Sequence, residues 1–221
     1  MFPSITHVIY DVDGLLLDTE TINAQVNQQI IQRYGKSFTV DIKANIAGRS
    51  TFDSARIIVD RLALPLTPQA YLEQRKALIY HLYAQAEPLP GAVRLVKHLH
   101  QHQIPQAVAT SSPRLHFDLK TTHHPWFTLF DCTVLGDDPE LKKTKPSPDI
   151  FLIAAERLGA SPEQCLVFED SPAGLQAALA ARMSVVVVPD SALAPQLFQQ
   201  ADQILTSLGD FEPQLWQLPG F

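Results

Sequence analysis

The stretch His7-Val8-Ile9-Tyr10-Asp11-Val12-Asp13-Gly14-Leu15-Leu16-Leu17-Asp18-Thr19-Glu20 decides how the rest of the chain is read. Residues 5–10 form an apolar run, β-branched and aromatic, with neither proline nor glycine inside, and this predicts a short buried strand. The run ends in two carboxylates one residue apart, followed by a glycine. In an open α/β sheet, ligands bind at the carboxyl ends of the strands, so acid stands where a crevice is expected. Two like charges about 4 Å apart repel by about 4 kcal/mol at an effective dielectric of about 20. Asp11 and Asp13 therefore call for a bound proton or a cation between them. A calcium loop would need further oxygen ligands and a closing Glu, whereas Leu15, Leu16 and Leu17 follow here. A solvated acidic turn is the plain alternative.

Downstream of Asp18 the pattern becomes helical as far as about residue 85. Apolar residues recur at helical spacing, as in Val26, Ile30 and Ile31, then Ala55, Ile58, Val59 and Leu62. Turns fall at Tyr34-Gly35-Lys36, Ala47-Gly48-Arg49 and Leu64-Pro65-Leu66-Thr67-Pro68. A helical block inserted directly after a first strand predicts a satellite domain over 17–86, with the main domain made of 1–16 and 87–221.

Pro88-Leu89-Pro90-Gly91 marks the return to alternating strands and helices. A helix over 92–102 leads to a strand over 106–109 that ends at Thr110-Ser111-Ser112. A strand over 130–135 precedes the loop Gly136-Asp137-Asp138-Pro139. Lys142 to Pro148 reads as a basic loop before a helix over 148–158, and a strand over 165–168 runs into Glu169-Asp170. Ser171 then caps a helix with Pro172 at its first position. The run 185–188 is continuously apolar, as in a sheet buried on both faces, and Ile204 and Leu205 add a short last strand. Alternation of this kind predicts a doubly wound parallel α/β sheet.

The 221 residues carry a net charge of −6. That argues against nucleic acid or an anionic membrane as the main partner, yet leaves a small anionic substrate open. Mean hydropathy is near zero, no apolar run approaches a bilayer span, and the opening residues lack a secretory pattern. Two cysteines, Cys132 and Cys165, suit neither a disulfide framework nor a zinc site. A cytoplasmic location is the expectation.

The strand ends thus carry Asp11 and Asp13, Thr110, and Glu169 with Asp170, while Lys145 lies on an intervening loop. In a doubly wound sheet they converge on one edge. Four carboxylates beside a hydroxyl and a lysine make a magnesium and phosphate site, since magnesium takes oxygen ligands and keeps substrate phosphate in its shell. Lys142 and Lys143 read as surface, Asp137 and Asp138 as turn residues. His98 and His102 could share a metal, but no third ligand is evident. His123-His124-Pro125-Trp126 reads as a loop over the core.

In these motifs the chain resembles the haloacid dehalogenase-like superfamily of phosphotransferases over essentially its whole length. The carrying residues are Asp11-Val12-Asp13-Gly14, Thr110, Lys145 in Lys145-Pro146-Ser147-Pro148-Asp149, and Glu169-Asp170 in Phe168-Glu169-Asp170-Ser171-Pro172-Ala173-Gly174. Within it, the stretch from Asp11 to Glu20 and Val134-Leu135-Gly136-Asp137-Asp138-Pro139 are most similar to the pseudouridine-5'-phosphatase-like branch. The resemblance implies a magnesium-dependent phosphatase with a helical cap that closes over a small phosphomonoester, hinged near 17–19 and 87–91. Asp11 would attack phosphorus to form an aspartyl phosphate, and Asp13 would serve as general acid and then base. Asp11, the backbone carbonyl of Asp13, Asp170 and Glu169 would hold Mg2+. Thr110, the Ser111 N–H and Lys145 would hold the phosphoryl oxygens. An Asp two residues beyond the nucleophile argues against dehalogenation. Glu20 and Arg49 are candidates for substrate recognition. Pseudouridine 5'-phosphate is the favoured substrate, a β-phosphoglucomutase-like phosphomutase is the nearest rival, and no protein partner is implied.

Overall fold

Six strands build the sheet of the computed structural model, which describes residues 2–46 and 51–221. They are β1 (His7–Tyr10), β2 (Gln106–Ala109), β3 (Cys132–Val134), β4 (Cys165–Glu169), β5 (Ser184–Val187) and β6 (Gln203–Ile204). The order is β3-β2-β1-β4-β5-β6 and every pairing is parallel. This is the doubly wound order, with β1 at the point where the sequence of strands reverses direction, so the crevice there opens beyond the end of β1.

Side-chain alternation along β1 divides the core. Val8 and Tyr10 face one apolar cluster together with Val108, Leu166 and Phe168. Ile9 faces the other with Ala107, Ala109, Val167 and Val185. The buried Tyr10 ring stacks on Phe168 at 5.2 Å between centroids, and its hydroxyl donates to Gln106 Oε1 at 2.9 Å. Gln106 in turn donates to the Val96 carbonyl at 3.1 Å, so the buried Tyr10 hydroxyl and Gln106 amide are both partnered.

Helices α1 (Thr19–Gln32), α2 (Val40–Ile46), α3 (Thr51–Leu62) and α4 (Pro68–Tyr83) form the insertion after β1. Asp18 caps α1 by accepting from Thr21 N at 3.0 Å, and Thr67 caps α4 with Pro68 at its first position. The Tyr71 hydroxyl donates to Asn27 Oδ1 at 2.8 Å, a buried bond that pins α1 to α4. The chain leaves and re-enters the sheet side by side: Asp18 N donates to the Glu87 carbonyl at 2.8 Å, and Leu89 N to the Leu16 carbonyl at 3.0 Å.

Helices α5 (Ala92–Gln101), α6 (Arg114–Thr121), α7 (Asp149–Leu158) and α8 (Pro172–Ala180) complete the layers. No helix is predicted from the sequence where α6 lies. The loop after β3 has work beyond turning. Both Asp137 oxygens accept from Arg114 N at the start of α6, and Asp138 is forked by Arg157 of α7 at 2.7 and 2.9 Å. His98 Nε2 lies 2.8 Å from the Pro219 carbonyl, so this histidine fastens the C-terminal segment. No helix among the described residues is long and apolar enough to cross a membrane.

Candidate active site

Asp11 follows the last residue of β1, and the parallel pairing sets the ends of β2 and β4 on either side of it. Asp11 Oδ1 accepts from Lys145 Nζ at 2.6 Å, and Oδ2 accepts from Asp13 N at 2.8 Å. Lys145 spends its other two donors on the Ala109 carbonyl at 3.0 Å and Glu169 Oε1 at 2.6 Å. Its side chain is 6 % exposed, against 9 % for Asp11 and none for Glu169, so this is a buried triad. Burial pushes the Asp11 carboxyl up to about 7; the Lys145 charge opposes this, while Glu169 and Asp13 add to it. Burial alone would lower Lys145, but Asp11 and Glu169 hold its ammonium above the ordinary lysine value.

Glu169 was expected among the metal ligands, and its surroundings argue otherwise. One oxygen holds Lys145; the other accepts from Asp170 N, Ser171 N and Ser171 Oγ at 3.0, 3.0 and 2.9 Å. Gly174 closes over the group, since a Cβ there would lie 1.8 Å from Glu169 Cδ. Glu169 therefore anchors Lys145. Asp170, one residue on, lines the crevice with Asp11 and Asp13. No donor among the described residues reaches its side-chain oxygens. Burial, then the Glu169 and Asp11 charges, raise its carboxyl well above the usual range. Gly14, at φ +80°, lets Asp170 approach: a Cβ there would stand 2.3 Å from Asp170 Oδ2.

Thr110 lies at the end of β2, buried, and its hydroxyl donates to Asp13 Oδ2 at 3.2 Å. Ser111 lines the same crevice, and its carbonyl is packed so closely by Gly136 that a Cβ would come to 2.1 Å. Two groups on Asp13 were missed by sequence reasoning. Ser112 Oγ donates to Oδ2 at 2.8 Å, and Lys120 Nζ lies 2.5 and 2.7 Å from Oδ1 and Oδ2. Burial would raise Asp13, but the Lys120 charge and the bonds from Lys120 and Ser112 hold its carboxyl below the usual value. The signal for Lys120 was its place three residues after the apolar Phe117, on one helix face.

Beyond these groups a crevice of about 910 Å3 opens toward the inserted helices. Glu20 lines it, accepting from Asn23 Nδ2 at 3.0 Å, and burial raises its carboxyl. Arg75 of α4 donates to Asn23 Oδ1 at 2.5 Å. Lys43 of α2 reaches Asp190 beyond β5 at 2.8 Å, an ion pair across the crevice mouth. Arg49 lies outside the described residues.

The donor set suits a divalent cation on charge. Asp11, Asp13, Glu169 and Asp170 face Lys145 and Lys120, so two negative charges stay uncompensated when all are ionised. Among the described residues no three His, Cys, Asp or Glu side chains enclose a metal by themselves. Magnesium does not need that, because it keeps water and substrate phosphate as ligands and uses one or two carboxylates.

Residues 8–188 match the family described as haloacid dehalogenase-like hydrolase. The chain is similar to (DL)-glycerol-3-phosphatase 2 of Arabidopsis thaliana, 46% identical over 224 residues, covering 99% of this chain and 93% of that protein. It is also similar to a probable pseudouridine-5'-phosphatase of Drosophila melanogaster, 43% identical over 221 residues, covering 98% and 96%. Among solved structures, a HAD family hydrolase from Deinococcus radiodurans with bound phosphate and sodium superposes with a TM-score of 0.81. The two are 25% identical, over 98% of this chain and 99% of that one.

Proposed function

The chain belongs to the haloacid dehalogenase-like hydrolase family, and on that premise we propose a magnesium-dependent phosphatase that works through an aspartyl phosphate on Asp11. It is a phosphatase of small phosphorylated metabolites. The observation that carries the mechanistic reading is the pairing at the end of β1. Asp11 is oriented by Lys145 and by the Asp13 N–H, while the Asp13 carboxylate is held by a separate set of donors on the same crevice.

In the first half-reaction an Asp11 oxygen bonds to phosphorus as the ester P–O bond breaks, and the departing alkoxide takes a proton from Asp13. In the second, water attacks phosphorus and gives a proton to Asp13; the Asp11–phosphorus bond breaks and inorganic phosphate leaves. The pull of Lys120 toward the carboxylate form suits the base role directly. The acid role requires Asp13 to take up a proton before the ester bond breaks. The Ser111 N–H would hold a phosphoryl oxygen, Thr110 would join it by turning its hydroxyl from Asp13, and Lys145 would turn one of its three donors from Asp11, Ala109 and Glu169 to meet the growing charge. Asp11, the Asp13 carbonyl and Asp170 would hold magnesium, with Glu169 fixing Lys145 beside them. The ion, when bound, supplies charge neutralisation for the phosphoryl oxygens.

Residues 17–86 would act as a cap on the core of 1–16 and 87–221, hinged where the two connecting segments lie side by side. Glu20, Asn23 and Arg75 present hydrogen-bonding groups to the leaving alcohol. That lining supports a polyhydroxylated alcohol, and the crevice has room for a nucleoside, which keeps pseudouridine 5'-phosphate the favoured substrate. The test is phosphate release, with and without magnesium, from pseudouridine 5'-phosphate, glycerol 3-phosphate, uridine 5'-phosphate, 2-deoxyglucose 6-phosphate and glucose 1-phosphate. Magnesium-dependent release from pseudouridine 5'-phosphate is expected. Conversion of glucose 1-phosphate to glucose 6-phosphate without phosphate release would overturn the reading in favour of a mutase.

A further inference from the structure

Lys120 is a fully buried lysine whose charge favours the Asp13 carboxylate, and its geometry gives it a second task. It stands in the last turn of α6, where a lysine would ordinarily reach into solvent, yet its side chain has no exposure at all. Its ammonium contacts both oxygens of Asp13, at 2.5 and 2.7 Å, and Ser112 Oγ at 2.7 Å. The Tyr83 ring of α4 covers it, with its centroid 5.1 Å from Nζ. Burying an ammonium is costly unless it is paired, so the helix carries this charge inward against its own default.

The geometry explains what the charge does there. The terminal torsion of an aspartate is broad and roughly two-fold, so a carboxylate held at one point can turn its plane. An ammonium that bridges both oxygens removes that freedom, and Ser112 and Thr110 fix the edge that Lys120 shares with them. We propose that Lys120 is the positioning residue of Asp13: it clamps the plane of the acid–base carboxylate and, beneath Tyr83, seats it against the inserted helices. The proposal rests on the acid–base reading of Asp13. Lys120 acts through the Asp13 carboxylate, the group it contacts.

The test uses Lys120→Met, which keeps length and removes the charge, with Asp13→Asn beside it and Ser112→Ala as a milder cut at the same clamp. The substrate is p-nitrophenyl phosphate with magnesium, mixed rapidly, because p-nitrophenolate leaves without a proton and only the second half-reaction then needs Asp13. The expected result for Lys120→Met is a burst of one p-nitrophenolate per active site followed by turnover slowed on the order of 10- to 100-fold, within the range general acid–base catalysis supplies. Acid-quenched protein should carry the phosphoryl group. Ser112→Ala should give the same pattern with a smaller slowing. A lesion of the fold would reduce burst amplitude and turnover together, and that outcome overturns the proposal. So does turnover of Lys120→Met within about two-fold of the parent, since loss of real positioning has effects far above that. If Asp13→Asn itself keeps full turnover, the acid–base reading fails and takes this one with it. If Asp13→Asn slows and the two clamp variants do not, only the role of Lys120 is lost.

Discussion

Replacing Glu169 by Gln separates an anchor from a metal ligand. The carboxylate accepts four hydrogen bonds, one from Lys145 and three from the turn that opens α8. A glutamine of the same shape must turn its NH2 toward one side or the other. Facing the turn, it meets two backbone N–H groups; facing Lys145, it meets an ammonium. The second choice loses less: one charge-assisted bond, worth about 1.5–3 kcal/mol, plus an unsatisfied donor in a site with no exposure at about 1–3 kcal/mol. A destabilisation of about 3 kcal/mol follows, and for a chain of this size that lowers Tm by about 6–12 °C. Thermal unfolding followed by circular dichroism measures it, and magnesium titration of phosphate release provides the second axis. The anchor role predicts a large fall in Tm with the half-saturating magnesium concentration little changed. A fall below about 2 °C, together with a magnesium requirement raised about ten-fold or more, would refute the reasoning and return Glu169 to the metal.

Further consequences are open to simple assays. Arg157 forks Asp138 and also reaches Glu140 at 3.0 Å, and its hydrogen bonds hold the Asp138 carboxyl below the usual value. A lowered pKa contributes stability above the unfolded value of about 3.9, lost as pH falls through the folded value. Asp138→Asn should therefore cost about 1 kcal/mol at pH 7, and the gap to the parent should close below about pH 4 in urea unfolding. Gly14→Ala places a methyl group 2.3 Å from Asp170 Oδ2 at φ +80°. It should cost about 1–3 kcal/mol and abolish most phosphate release, both readable on one preparation. Lys43→Met removes the ion pair to Asp190 across the crevice mouth. It should raise KM several-fold with kcat less affected, as for a contact that helps hold the inserted helices over substrate.

The doubly wound sheet was legible because its strands are short apolar runs that end in chemistry, and β1, β2 and β4 fall within a residue or two of their expected limits. The convergence of Asp11, Thr110, Lys145 and Asp170 follows from parallel strands sharing one carboxyl edge. The difference between Glu169 and Asp170 was hidden in adjacency. Successive residues leaving a strand point to opposite sides, so only one of two neighbouring acids can face the crevice. Lys120 was hidden more deeply. Alone, the segment Arg114-Leu115-His116-Phe117-Asp118-Leu119-Lys120 looks like a charged surface helix, and a lysine in the last turn suits its dipole. What buries it is the docking of α6 between the end of β2 and α4, a contact among residues far apart in the chain. The loop 136–139 teaches the same thing from the other side: Asp137 and Asp138 read as turn residues, yet they cap α6 and tie down α7.

The most direct test of the central claim is to find the phosphoryl group. Asp13→Asn, incubated with magnesium and p-nitrophenyl phosphate, whose leaving group needs no proton, and quenched in acid, should yield a peptide spanning Asp11 that carries one phosphoryl group labile to hydroxylamine. Asp11→Asn treated alike should carry none and release no phosphate. Phosphate release by Asp11→Asn at a rate near the parent's, or a phosphoryl group on another residue, would contradict the account.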